Sequence, residues 1–279
     1  MILIADSGTT KTEWCIITDY GTSDTMVTSG INPFYQETNN ISEILYKEFT
    51  GSRKFEAIHF YGTGCINEEK QDIVKNALLQ VFDTEEIFIG SDLLAAARSL
   101  CQNKPGFACI LGTGSNSCYY NGNKIVLNVS PLGYILGDEG SGAVLGKKLL
   151  GDILKNQLPH KLINEFFETY PTSVAEILEN VYKNPFPSRY LAGYTKFLSK
   201  TIKHPEIENI VISAFREFVI RNLLQYPEIH RTPVHFTGSI AFHFEGQLRK
   251  VIEEKNLIFG NIERAPMPGL IKYHISKLI

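Results

Sequence analysis

The sequence contains no long hydrophobic run, since no stretch approaches the roughly 20 apolar residues needed to cross a bilayer. Its apolar N-terminus is interrupted at Asp6, so we expect no signal peptide. Positive charge is also scarce, because the net charge is −3 and no arginine-rich block occurs. These absences predict a cytoplasmic protein that binds neither a membrane nor nucleic acid.

Several motifs of catalytic and metal-binding proteins are missing too. The five cysteines have no CxxC spacing and the seven histidines show no HExxH motif, so neither a disulfide framework nor a zinc site is expected. The absence of GxSxG argues against an esterase. A P-loop match at Gly140–Lys148 fails, because five residues separate Gly140 from Gly146 and Lys148 stands where Ser or Thr is required.

The composition that remains is that of an ordinary globular protein. The 279 residues are 43% hydrophobic and 20% charged, which suits two lobes with their own cores. An apolar hairpin followed by strand–helix units predicts an α/β lobe with helices packed on a largely parallel sheet. Asn103–Gly106 is the best candidate for a crossing between lobes, and strand, small-residue turn and strand follow again. Further along, helices are predicted over Ile240–Glu254 and Gly269–Ile279.

Small-residue turns follow the ends of apolar runs at several places in the chain. They are Ser7–Thr12, Gly62–Gly64, Gly90–Asp92, Gly112–Asn116 and Gly238–Ser239. In an open α/β sheet, the carboxyl ends of the strands form the edge where ligands bind. Turns of this kind expose backbone N–H groups to a phosphate, and two of them on two lobes would hold one triphosphate.

The first turn, Ser7–Thr12, has two interpretations. Gly8 lets the chain approach a phosphate closely, and the threonine hydroxyl groups add donors. Asp6 stands beside this turn, where its carboxylate would repel a phosphate unless a hydrated Mg²⁺ lies between them. The alternative is an ordinary polar hairpin turn, in which Lys11 is solvated rather than clamped on a phosphate.

Asp92 stands between the end of a strand and the start of a helix, and it also has two interpretations. Asp is a common N-cap residue. If Ser91 supplies the cap instead, Asp92 is free to act as the base that takes a hydroxyl proton during phosphoryl transfer. The spacing alone favours neither role.

Two further polar positions stand in glycine-containing breaks. In one interpretation, Asp138 and Glu139 are loop carboxylates that face water. In the other, Asp138 binds the hydroxyl groups of a ligand, and Glu139 suits the first turn of the next helix. Asn32 either binds an amide or hydroxyl group or only shapes a turn.

Ordered motifs along the chain resemble those of the BadF/BadG/BcrA/BcrD-type ATPase family. They are Asp6–Thr12 (DSGTTKT), Gly112–Asn116 (GTGSN), Gly137–Ser141 (GDEGS) and Thr237–Ala241 (TGSIA). Within that family the sequence is most similar to N-acetylglucosamine kinases, which belong to the superfamily of sugar kinases, actin and heat-shock chaperones. The resemblance covers nearly the whole chain, although Ser7 and Thr9 stand where relatives usually have Gly and residues 159–205 carry no recognisable motif.

The resemblance implies a fold of two ribonuclease-H-like, or actin-like ATPase, lobes with a nucleotide cleft between them. The N-terminal α/β lobe would comprise residues 1–104 plus 266–279. The C-terminal α/β lobe, with extra helices, would comprise residues 105–265. Return of the last helix to the first lobe is an implication of the resemblance, since pattern alone does not predict it.

The resemblance also implies a role for each site residue. Asp92 would be the catalytic base, and Asp6 would hold Mg²⁺ through water. The residues implied for ATP are Ser7, Gly8, Thr9, Thr10, Lys11, Thr12, Gly112, Thr113, Gly114, Thr237, Gly238 and Ser239. Those implied for the sugar are Asn32, Thr113, Ser115, Asn116 and Asp138.

The function expected from this resemblance is ATP-dependent phosphorylation of an amino sugar similar to N-acetylglucosamine, at its 6-hydroxyl. One alternative is an ATP-driven activator of a 2-hydroxyacyl-CoA dehydratase-type enzyme, whose iron–sulfur cluster would need Cys101, Cys109 or Cys118. Another is a non-catalytic sensor of nucleotide or sugar. The expected partner is a small-molecule sugar, and a homodimer is left open.

Overall fold

The computed structural model describes residues 1–8, 10–18 and 21–278. Within this part of the chain, the strands are β1 (Ile2–Ser7), β2 (Lys11–Thr18), β3 (Gly21–Ser29), β4 (Lys54–Gly62), β5 (Asp83–Ser91), β6 (Pro105–Leu111), β7 (Ser115–Asn121), β8 (Ile125–Val129), β9 (Val234–Thr237) and β10 (Phe259–Glu263). The α-helices are α1 (Thr38–Glu48), α2 (Glu68–Val81), α3 (Asp92–Cys101), α4 (Gly133–Leu136), α5 (Gly142–Leu154), α6 (His160–Thr169), α7 (Val174–Tyr182), α8 (Pro187–Gly193), α9 (Thr195–Thr201), α10 (Pro205–Arg221), α11 (Ser239–His243), α12 (Glu245–Glu254) and α13 (Met267–Leu278).

The chain divides into two compact units. Unit 1 comprises Met1–Lys104, Asn121–Ile125 and Ala265–Ile279, and unit 2 comprises Pro105–Tyr120 and Val126–Arg264. Unit 1 therefore contains both ends of the sequence. No helix in the described ranges is long and apolar enough to span a membrane.

Unit 1 is built on a five-stranded sheet with the strand order β3-β2-β1-β4-β5. The pairs β1–β2 and β2–β3 are antiparallel, whereas β1–β4 and β4–β5 are parallel. The prediction of a largely parallel sheet is wrong for this unit. The hairpins that begin the chain supply half of its strand pairs, and a hairpin connection makes its strands antiparallel.

Both faces of the unit 1 sheet are covered by helices. Leu3 and Ala5 of β1 pack in a hydrophobic cluster with residues of α1 and α2. Ile2 and Ile4 face the other way and pack with residues of α3 and α13, including Leu270. Since successive side chains of a strand point to opposite faces, a strand buried on both sides needs an unbroken apolar run, as β1 has.

Unit 2 contains a second five-stranded sheet, with the order β10-β9-β6-β7-β8. Strand β9 is parallel to both β6 and β10. Phe107, Cys109 and Leu111 alternate along β6 and face a large hydrophobic cluster that includes residues of α5 and α10. The core of this unit thus lies between β6 and these helices.

Two elements of unit 2 differ from the sequence expectation. The helix predicted over Ile240–Glu254 consists of α11 and α12, because the backbone of Phe244 leaves the helical region while its ring is buried. Strand β10 has no counterpart in the predicted elements. Its five residues are half-buried or exposed without the alternation that marks a strand.

Candidate active site

The carboxyl ends of three parallel strands in unit 1 lie side by side. Gly62 of β4 pairs with Ser7 of β1 and with Ser91 of β5. Beyond this row, the Thr63 amide donates a 2.9 Å hydrogen bond to the Ser7 carbonyl oxygen. The turns after β1, β4 and β5 therefore meet at one edge of the sheet, as their positions after apolar runs predicted.

Asp92 is held at this edge as the first residue of α3. Ser91 is the N-cap, because its hydroxyl oxygen accepts a hydrogen bond from the Leu94 amide at 3.2 Å. The two carboxylate oxygens of Asp92 accept from the Thr63 hydroxyl at 2.9 Å and from the Leu93 amide at 2.8 Å. With the cap supplied by its neighbour, Asp92 has a fixed orientation and oxygen lone pairs that remain for a ligand.

The pKa of Asp92 is raised, mainly because burial disfavours its ionised form, while the hydrogen bonds from Thr63 and Leu93 oppose the shift. Burial is also the main cause that raises the pKa of Asp6 to about 7, and the negative charges of Asp92 and Glu13 add to it. The positive charge of Lys11 acts in the opposite direction. These carboxylates therefore repel each other at the strand edge.

This donor set fits a hydrated Mg²⁺. Magnesium commonly keeps several waters and takes one or two carboxylates together with substrate phosphates. A divalent cation beside Asp6 would also offset its repulsion from Asp92. Within residues 1–8, 10–18 and 21–278, no group of three or more His, Cys, Asp or Glu side chains forms a metal cage.

The first predicted phosphate turn directs two of its hydroxyl groups inward. The Ser7 Oγ atom lies 3.0 Å from both the carbonyl oxygen and the amide nitrogen of Ile31, and 2.7 Å from the Thr12 Oγ1 atom. Ser7 and Thr12 are both buried, so their hydroxyl groups fasten the hairpin rather than face a phosphate. Thr10 and Lys11 are exposed, the Gly8 amide bonds to the Lys11 carbonyl, and Thr9 lies outside the described residues.

Asn32 is buried beside the turn that follows β4. Its Oδ1 atom accepts a hydrogen bond from the Phe34 amide at 3.0 Å, so the side chain does shape a turn. A Cβ atom on Gly64, whose φ is +87°, would lie 2.5 Å from this oxygen. Gly64 is therefore needed for the close approach, which brings Asn32 next to the turn that contains Thr63.

The second predicted phosphate turn, Gly112–Gly114, is attached to the start of α5. The amides of Gly142 and Ala143 donate to the carbonyl oxygens of Gly112 at 2.8 Å and Thr113 at 3.0 Å. Thr113 is exposed, whereas Ser115 is buried. The first N–H groups of α5 thus hold the turn in place, because they have no partner inside the helix.

Asp138 lies beside this second turn. A Cβ atom on Gly114 would come within 3.0 Å of the Asp138 Oδ2 atom. Burial and the charge of Glu139 raise the pKa of Asp138 to about 6, against a hydrogen bond from the Ser115 backbone and the charge of Lys147. The predicted sugar ligands Thr113, Ser115 and Asp138 are therefore close together in unit 2.

Asn116 lies further along β7, and the oxygen of its side chain is already hydrogen-bonded to neighbouring residues. Its Oδ1 atom accepts hydrogen bonds from the Ser117 amide and from the Asn128 Nδ2 atom, each at 2.9 Å. Only its amide NH₂ group is left without a hydrogen-bond partner among the described residues.

The turn predicted to border adenosine adjoins the second phosphate turn. Gly238 has a φ of +112°, and a Cβ atom there would lie 2.4 Å from the Leu111 carbonyl oxygen. Only glycine permits this backbone approach. Thr237 is buried, and its Oγ1 atom has no hydrogen-bond partner among the described residues, whereas Ser239 is exposed at the start of α11.

Sequence reasoning did not identify the residues that support these carboxylates. Thr63 stood in a recognised turn, but its bond to Asp92 depends on the pairing of β4 with β5. Glu139 is buried and paired with Arg221 and Asn222, rather than placed in the first turn of α5. Nothing in the local sequence of α10 indicates this contact.

Comparisons with known proteins give the family. No family model and no curated protein matches the chain. A Porphyromonas gingivalis protein, provisionally described as an N-acetylglucosamine kinase, is 44% identical over 100% of both chains with a TM-score of 0.94. A Chromobacterium violaceum protein described in the same way is 16% identical over 98% of each chain, with a TM-score of 0.73.

A third structure shares the fold at lower similarity. It is a ROK family glucokinase from Streptomyces griseus in complex with glucose and AMPPNP, which is 13% identical over 99% of this chain and 98% of its own, with a TM-score of 0.54. The predicted α/β, actin-like ATPase fold class is thereby confirmed. The chain belongs to the same family as the Porphyromonas gingivalis protein that is provisionally described as an N-acetylglucosamine kinase.

Proposed function

We propose that the chain transfers the γ-phosphoryl group of ATP to an amino sugar, with N-acetylglucosamine as the first substrate to test and its 6-hydroxyl as the acceptor. The observation that carries the proposal is Asp92, a fixed carboxylate at the strand edge beside Asp6, in a member of this family. The motifs in the sequence favour the BadF/BadG/BcrA/BcrD-type ATPase family, and within it the N-acetylglucosamine kinases.

Asp92 would act as the base. Thr63 and Leu93 orient its carboxylate, and burial raises its pKa, which makes the group a better proton acceptor than an ordinary aspartate. The acceptor hydroxyl would give its proton to the lone pair that these two donors leave free. Phosphoryl transfer depends largely on such positioning and on neutralising charge.

Asp6 would hold Mg²⁺ through water, and the ion would supply charge neutralisation at the phosphates. The proposal assigns those phosphates to Ser7–Thr12 and Gly112–Gly114, and the adenosine to Thr237–Ser239. Ser7 and Thr12 would contribute only through the backbone, because their hydroxyl groups are engaged inside unit 1. Asn32, Thr113, Ser115, Asn116 and Asp138 would contact the sugar.

The test is ADP release across N-acetylglucosamine, glucosamine, N-acetylmuramic acid and glucose, followed by NMR of the product to identify the phosphorylated oxygen. Asp92→Asn should lower kcat about 10²- to 10⁴-fold because it removes the base. Sugar affinity, measured by calorimetry, should change little. Asp72→Asn, on the exposed face of α2 in the same unit, is the matched control.

Turnover of D92N close to the wild-type rate would contradict the role of Asp92. Failure of every sugar in the panel, with ATP bound, would contradict the proposed activity and favour a sensor. The dehydratase-activator alternative is disfavoured because Cys101, Cys109 and Cys118 are all buried, whereas a cluster shared between two copies needs exposed thiolates.

A further inference from the structure

Glu139 is a buried carboxylate that is paired from another element. Its residue is 9% exposed, and it follows Asp138 in the loop before α5. One carboxylate oxygen accepts from the Arg221 Nε atom, and the other accepts from the Asn222 Nδ2 atom at 3.2 Å. Arg221 is the last residue of α10, and Asn222 is its C-cap.

This pairing is difficult to explain by stability alone. The C-terminal end of a helix carries a partial negative charge, so a carboxylate there is unfavourable without a cation. The Arg221 side chain is 60% exposed, and an ion pair with one partner in water contributes little to stability, because the charge of that partner is already hydrated. The pair therefore indicates a role beyond stability, in the loop that it holds against α10.

The pair holds the loop that presents Asp138. Asp138 and Gly140 both have left-handed backbone, with φ values of +53° and +72°. A Cβ atom on Gly140 would lie 3.1 Å from the Phe218 Cβ atom of α10, so the loop is pressed against this helix. The Asp138 amide also bonds to the Pro131 carbonyl at 2.8 Å.

The pair also sets the charge behind Asp138. The charged groups that face Asp138 are Glu139 from its own loop and Lys147 from α5. The charged group that faces Glu139 is Arg221 from α10. Lys148 and Glu217, which join α5 to α10 at 2.8 Å, are already paired with each other.

We propose that Arg221 is a positioning residue for the acceptor sugar, which acts through Glu139 on the placement and charge of Asp138. This inference rests on the proposed function, because it takes Asp138 as a sugar ligand. Arg221 compensates Glu139, and so widens the pH range below neutrality in which Asp138 is ionised and accepts hydroxyl hydrogen bonds.

The test compares the directions in which two substitutions move the pH midpoint of sugar affinity. A purely structural role would not move the midpoint in opposite directions. Wild-type sugar affinity, measured by calorimetry without ATP, should fall as the pH drops through about 6, where Asp138 takes up a proton. Arg221→Gln leaves Glu139 uncompensated, so the midpoint should rise by about half a pH unit. Glu139→Gln removes the repelling charge, so the midpoint should fall by about as much.

Further variants complete the design. The double variant E139Q/R221Q should return the midpoint towards wild type, and R221K should keep the wild-type midpoint while it binds sugar less tightly. Arg216→Gln is the matched control, because Arg216 lies on the same helix as Arg221 and its substitution breaks an ion pair of 2.8 Å with Glu254 of α12. It should leave the midpoint unchanged.

Titration of the Asp138 carboxyl resonance by NMR distinguishes a failure of the positioning role of Arg221 from a failure of the proposed sugar-kinase function. Midpoints that stay constant, or that move in the same direction in R221Q and E139Q, would overturn the inference. Opposite shifts of the resonance, in a chain that binds no sugar at any pH, would instead overturn the proposed function and with it the positioning role. Asp138→Asn should abolish the pH dependence of sugar affinity.

Discussion

Asp6 titrates near neutrality in the folded protein, since its pKa is raised from 3.8 to about 7. The folded state therefore binds more protons than the unfolded state between these two values. Ionisation of Asp6 then lowers the free energy of unfolding as the pH rises from about 4 to 7, and the penalty persists above pH 7. The cause is burial first, and the charges of Asp92 and Glu13 second.

Asp6→Asn should therefore stabilise the protein at alkaline pH while it impairs catalysis. We expect its free energy of unfolding to exceed the wild-type value by about 1–2 kcal/mol near pH 8, a figure discounted because Asp6 is half-buried, and to match it near pH 4. Urea unfolding at both pH values measures the difference. Asp24→Asn, exposed on β3, is the control.

The effect of Mg²⁺ on stability is a second test of the role of Asp6. Near pH 8 the ion should raise the free energy of unfolding of the wild type but not of D6N, because a ligand that binds only the folded state stabilises it. An equal response of both proteins to Mg²⁺ would show that the ion binds elsewhere.

At the level of single residues, what could be predicted depended on distance along the chain. The sequence left the cap of α3 open between the neighbours Ser91 and Asp92, and the structure shows that Ser91 supplies it. Thr63 as a partner of Asp92, and Arg221 as a partner of Glu139, could not be predicted. Those contacts join residues 29 and 82 positions apart, and they exist only once strand register and helix packing are fixed.

The start of α3 is the element on which the proposed chemistry depends. Ser91→Ala should remove the hydrogen bond to the Leu94 amide, lower the free energy of unfolding by about 1 kcal/mol and lower kcat. The first turn would fray, and Asp92 would lose its fixed position. Urea unfolding and steady-state kinetics measure the two effects.

Ser173→Ala is a matched control on another element. Ser173 caps α7 through the Glu176 amide at 3.2 Å, so its loss should lower stability by a similar amount. No proposed site residue lies on α7, and kcat should therefore stay at the wild-type value. If S91A and S173A lowered kcat equally, a special role for the α3 cap would be excluded.

Helix boundaries could be predicted where a local residue such as proline marks them. Three prolines in the helical part of unit 2 stand at helix starts, with Pro159 as the N-cap of α6 and Pro187 and Pro205 in the first turns of α8 and α10. Proline suits these positions because its missing N–H group has no partner there in any case. Strand direction in unit 1 and strand β10 depend on pairing partners, which local sequence does not encode.

At the scale of the whole molecule, the order of the motifs was more informative than any single motif. A lone glycine turn occurs in many folds, but the succession of Asp6–Thr12, Gly112–Asn116, Gly137–Ser141 and Thr237–Ala241 identified the fold class, which the structure confirms. The sugar remained undetermined, because the contacts proposed for it come from backbone turns and from side chains such as Asn32 and Asp138. Such groups bind the hydroxyl and amide groups of many sugars.

Ligand-dependent stability tests this assignment on the intact chain. A ligand present at 100 times its Kd raises the free energy of unfolding by about 2.7 kcal/mol, and each kcal/mol raises the Tm of a protein of this size by about 2–4 °C. N-acetylglucosamine alone at that excess should therefore raise the wild-type Tm by roughly 5–10 °C.

At the same sugar concentration, Asp138→Asn should lose most of this shift and keep the shift produced by AMPPNP with Mg²⁺. Asp152→Asn, on α5 in the same unit, should retain both shifts. A sugar-dependent shift in D138N equal to that of the wild type would show that Asp138 does not contact the sugar, because a lost hydrogen-bonding partner must lower the affinity on which the shift depends.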